Sequence, residues 1–88
     1  MVTFATNTEK IEFLNNIVIE LQQNIYADCF KLGIDATTLD TATYNSEEFL
    51  SSFPENMHFA EHVAKRNIDR NMTNLITVNK KLDELNNV

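Results

Sequence analysis

A chain of 88 residues with a single cysteine, Cys29, is one small domain with neither an intrachain disulfide nor a paired-cysteine metal knuckle. Its formal net charge of −6 argues against a nucleic-acid partner, because affinity for phosphate backbones comes from lysine and arginine displacing counterions. One glycine and one proline leave few tight turns and no glycine-rich phosphate loop, so the composition points to long helices.

The first ten residues, MVTFATNTEK, lack the basic stretch and apolar core of a signal peptide. No apolar run approaches the ~20 residues that cross a bilayer. The expected location is the cytoplasm, or the nucleus in a eukaryote. Charge is unevenly spread: residues 1–61 carry ten acids and two bases, residues 62–88 three acids and five bases. Pairing of a basic last helix with an acidic first one accounts for this without a partner. Twelve asparagines, several at helical positions, weaken the helices intrinsically and leave packing to compensate.

Thr6 with Glu9 three residues on forms a capping box that opens a first helix, and Phe4 or Ala5 is placed to staple it. Ile11, Leu14, Val18, Leu21, Ile25, Cys29 and Leu32 then recur at steps of three and four, which predicts one buried stripe over residues 7–32. Gly33 ends the helix and Ile34 supplies the apolar contact of a glycine cap. Phe13, Ile17, Ile19, Tyr26 and Phe30 fall outside that stripe, which gives the helix more apolar surface than a single neighbour covers.

The segment IDATTLDTATYNS reads as irregular, with one short turn after Asp35. Asn45 with Glu48 repeats the capping-box spacing and predicts a short helix over about 46–53, with Phe49, Leu50 and Phe53 on one face. Pro54 suits the first turn of a last helix, predicted over 54–86. Its apolar line runs Met57, Ala60, Ala64, Ile68, Met72, Leu75, Val78, Leu82, Leu85, and Phe59 with Val63 adds a second strip.

HFAEH, residues 58–62, has the His-x-x-Glu-His spacing that one class of zinc proteases uses for two ligands and a general base. A protease also needs a third ligand and a cleft, and on the predicted helix these side chains point away from the core stripe. Glu55-x-x-His58 has the spacing of di-iron carboxylate bundles, whose ligands project inward, but here it points outward. A solvated polar shoulder is the preferred reading. Ser46, Ser51 and Ser52 have no organised base beside them, and Cys29 sits where a thiolate is disfavoured. No catalytic, metal or cofactor residue is assigned. EEFLSSFPE has the pattern of a docking helix, but the preferred reading is that its aromatics cover the open side of the two long helices, because the surplus apolar surface of the first helix needs a lid.

The sequence therefore predicts an all-α fold: two long antiparallel helices, about 7–32 and 54–86, joined by an irregular connector with a short helix. The expected function is a non-enzymatic protein–protein interaction subunit, an adaptor or assembly component pairing by helix packing with itself or another chain. The contact is expected at Ile17, Ile19, Tyr26, Met72, Ile76 and Leu85, with Phe49 and Phe53 from the short helix. The alternatives are a small acidic inhibitor, of the kind mobile elements use, that occupies the basic groove of a nucleic-acid enzyme, and a ferritin-like metal-binding oligomer.

Overall fold

The computed structural model describes residues 6–87, so the expected staple at Phe4 or Ala5 lies outside the described residues. Three helices follow in order: α1 (Asn7–Leu32), α2 (Ser46–Ser51) and α3 (Phe59–Asn86), with one 3-10 turn at Ala36–Thr38 between the first two. The two long helices pack against each other as an antiparallel hairpin, and α2 lies against α3.

α1 begins and ends as its local chemistry requires. The Thr6 hydroxyl accepts from the Glu9 N–H at 3.2 Å, satisfying one of the donors a helix start leaves open. At the other end Gly33 takes φ 70° and ψ 25°. The N–H of Ile34 then reaches back to the Cys29 carbonyl at 3.1 Å, a Schellman closure. Ile34 also packs against the core cluster that contains Cys29.

α3 starts five residues later than the sequence pattern suggests, at Phe59 rather than Pro54. Phe53, the residue before Pro54, offers no side-chain oxygen to cap a helix. His58 and Glu61 do provide a cap: the His58 N–H donates to Glu61 Oε1 at 3.3 Å, closing the first turn. α2 is likewise shorter than expected, ending at Ser51.

Ile25 and Cys29 of α1 and Ala64, Ile68, Met72 and Leu75 of α3 make up the fully buried apolar core. Ile25, Ile68, Met72 and Leu75 each contribute about 1.5–3 kcal/mol when removed from water. Val18, Leu21, Leu32, Leu39, Tyr44 and Phe49 pack around it half-buried. The core is concentrated at one end. No described residue of α1 before Ile25, and none of α3 after Leu75, is buried. The connector runs along one side of the hairpin, where Thr41 and Ala42 line a groove with Ile76, Asn79 and Leu82, and the two long helices set the length. This elongates the molecule to 49 × 23 × 22 Å, with a radius of gyration of 15.1 Å, against about 12 Å for a compact domain of this length.

Candidate interaction surface

Directed contacts shape the connector and then tie it to the hairpin. Asp35 accepts from the Thr37 N–H at 2.9 Å and the Thr37 hydroxyl at 2.7 Å, and these bonds hold its carboxyl below the ordinary carboxylate value. Asp40 accepts from the Ala42 N–H at 2.8 Å. Asp69 of α3 then receives two hydroxyls from across the chain, Tyr44 at 2.6 Å and Ser46 at 2.5 Å. Burial, and secondarily the Asp69 carboxylate, push the Tyr44 phenol well above its ordinary value. Asn45 caps α2 through the Glu48 N–H at 2.9 Å.

Phe49 and Phe53, expected at the partner interface, are used within the chain. Both are half-buried. The Phe49 ring lies 5.7 Å from that of Tyr44 and 5.1 Å edge-on from that of Phe53, both within the favoured range for aromatic pairs. Lys65 Nζ sits 5.8 Å over the Phe53 ring. The short helix is thus a lid on the closed end of the hairpin.

The other expected contact residues separate into three groups. Met72 is 2% exposed in the middle of the core, so it holds the hairpin together rather than facing outward. Its place on the main apolar line of α3 already carried that signal. Ile17, Ile76 and Leu85 are half-buried towards the open end. Ile19 and Tyr26 are 53% and 57% exposed. At ~100° per residue, Ile17 and Ile19 lie about 160° apart around α1, so one seam does not hold both.

Ile19 and Tyr26 do share a face, and it includes Phe30, 86% exposed, which the expected contact set left out. With Gln23 the positions are 19, 23, 26 and 30, spaced by four, three and four residues, the spacing of a helix-pairing seam. This stripe lies about 125° around α1 from the core line, beside the connector. Tyr26 and Gln22 border a groove whose far wall is Ala36, Thr37, Leu39 and Asp40.

Charge distinguishes this face from the rest of the surface. Among exposed α1 residues from Asn15 to Phe30 only Glu20 is charged, and Asp28 in that span is buried. Exposed positions of α3 carry Arg66, Arg70, Lys80, Lys81, Asp83 and Glu84. Lack of charge together with exposed aromatic and aliphatic side chains is the composition of an interface centre. On the back of α3, Phe59 and Val63 are also exposed, but Arg66 and Arg70 follow them directly along the same face.

The motifs that suggested chemistry are taken apart by the fold. His58 is the residue before α3 and Glu55 lies in the preceding turn. Glu55-x-x-His58 therefore does not project from one helix, and HFAEH spans a helix start rather than a helix face. Among the described residues no three histidine, cysteine or acidic side chains gather into a metal-binding group. Cys29 is buried, and burial, with Asp28 and Asp35 nearby, raises its thiol above the ordinary value. No described helix is long and apolar enough to cross a membrane. No protein-family model, curated protein or solved structure matches the chain.

Proposed function

We propose that the protein is a non-enzymatic interaction subunit that pairs with another protein surface through the outer face of α1. The observation that carries this reading is the stripe of Ile19, Tyr26 and Phe30, more than half exposed and almost free of charge. Burying three such side chains is worth several kcal/mol at about 25 cal/mol per Å². Left in water, the stripe contributes nothing to folding. A photo-crosslinking residue replacing Tyr26 in the host cell tests the reading, with Thr77 on the solvent side of α3 as the control site. Covalent adducts from position 26 and none from position 77 are expected. No adduct from either position sinks the proposal.

A second reading rests on the exposed acids of the connector and α2. Asp40, Glu47, Glu48 and Glu55 are all exposed, and among the described residues none of them takes part in an ion pair. Such a surface suits the basic groove of a nucleic-acid enzyme. Binding of that kind weakens steeply with salt, because exposed charges are screened over about 8 Å at physiological ionic strength. Binding through the α1 stripe does not.

A further inference from the structure

Resting on the interaction reading above, we infer that the occupant of the α1 stripe is a second copy of this chain, packed α1 against α1 and antiparallel.

The first argument is area. The chain exposes 6435 Å², roughly 1,100 Å² more than the ~5,300 Å² of a compact monomer of 10.1 kDa. An interface of ordinary size removes about 800 Å² from each partner. The elongated chain thus has surface to spare for such a contact, and on α1 the exposed apolar part of it is Ile19, Tyr26 and Phe30.

The second argument is symmetry. In a two-fold contact each residue meets the same surface on the other copy, so like charges on the face oppose themselves and destabilise it. The α1 stripe avoids this, because its flank carries one acid, Glu20, and one base, Lys31, which do not repel each other. The back of α3 does not, since Arg66 and Arg70 adjoin Phe59 and Val63 there.

The third argument is register. An antiparallel pairing centred between Asn24 and Ile25 sets Ile19 opposite Phe30 of the second copy and Gln23 opposite Tyr26. Apolar then meets apolar, and the glutamine amide has a hydroxyl in reach. Glu20 and Lys31 project from the same flank of α1, about 20° apart. This register brings Glu20 of one copy to the level of Lys31 of the other, within ~3 Å along the axis. Lys31 lies 3.5 Å from Asp28 of its own chain and keeps 67% of its side chain exposed, so its ammonium remains accessible to the second copy.

Light scattering on the full chain, from micromolar to submillimolar, tests the inference. The mass is expected to approach twice 10.1 kDa. Tyr26→Asp and Phe30→Asp are expected to return it to the monomer with unchanged helical circular dichroism, because both side chains are exposed and support no core. Phe59→Asp is expected to leave the dimer intact. Glu20→Lys should weaken association about three- to tenfold, and adding Lys31→Glu should restore it, since exposed ion pairs contribute on that scale. A wild-type chain that stays monomeric throughout overturns the inference, as does a dimer indifferent to Tyr26→Asp and Phe30→Asp. Failure of Lys31→Glu to rescue overturns the antiparallel register. A monomer that still gives heavier adducts from position 26 in the host leaves the interaction reading standing with a different partner. A monomer without adducts overturns both.

Discussion

Asp69 is the residue on which the connector depends. One carboxylate oxygen accepts both the Tyr44 and the Ser46 hydroxyls, and hydrogen bonds to a charged acceptor are worth about 1.5–3 kcal/mol each. Tyr44→Phe is expected to destabilise the chain by about 1–2 kcal/mol at neutral pH, measured by denaturant unfolding. The pH dependence has a defined sign. The folded-state value of Tyr44 is raised above its ordinary 10.0, so its contribution is complete below pH 10 and is lost as pH climbs into the strongly alkaline range. The wild-type melting temperature should therefore fall more steeply above pH 10 than that of Tyr44→Phe, and equal slopes would rule out the bond as an energetic link. Cys29 makes a matching case. Its thiol is buried and raised, so a disulfide reagent at neutral pH should react no faster than the hairpin opens. Met72→Ala, which empties a core position, should cost about 2–5 kcal/mol, and Met72→Asp should unfold the chain rather than block one contact.

At the scale of elements, the ends of the helices are set by single residues. At Gly33, with φ 70°, a Cβ would meet nothing within 4 Å. Gly33→Ala therefore probes backbone conformation alone, and should cost about 1–2 kcal/mol without disturbing any neighbour. Thr6→Ala removes the N-cap acceptor of α1 and should cost about 1 kcal/mol. Stability is also graded along the hairpin. The core spans Ile25–Cys29 on α1 and Ala64–Leu75 on α3, and outside it the helices have only half-buried neighbours. Amide exchange of residues 10–18 and 78–86 should accordingly be faster than that of residues 25–30 and 64–75, because local opening there exposes little apolar area. Uniform protection along α1 would mean that a further surface covers the open end.

For the whole molecule, the hairpin rests on a small buried core, Ile25 and Cys29 against Ala64, Ile68, Met72 and Leu75. A second copy on α1 would add to its stability by mass action. The melting temperature of the wild type should therefore rise with concentration, while that of Tyr26→Asp should not. The sequence by itself determined the helices, because three- and four-residue spacing, the Thr6 and Asn45 caps and the Gly33 stop are local signals that tertiary contacts did not override. It also determined the core line through Ile25, Cys29, Ile68, Met72 and Leu75, since periodicity defines the buried face of a helix. Only the tertiary structure decided which surplus apolar residues were spent inside the chain. Phe49 and Phe53 are taken up by the lid, while Ile19, Tyr26 and Phe30 remain outside. The structure also moves the start of α3 to Phe59, five residues beyond the Pro54 start that the sequence pattern predicts. The physical reason is common to these cases. Periodicity assigns a residue to a face of its own helix, but which face is covered depends on where the connector lands, and that is settled by contacts such as Tyr44 to Asp69, 25 residues apart in the chain.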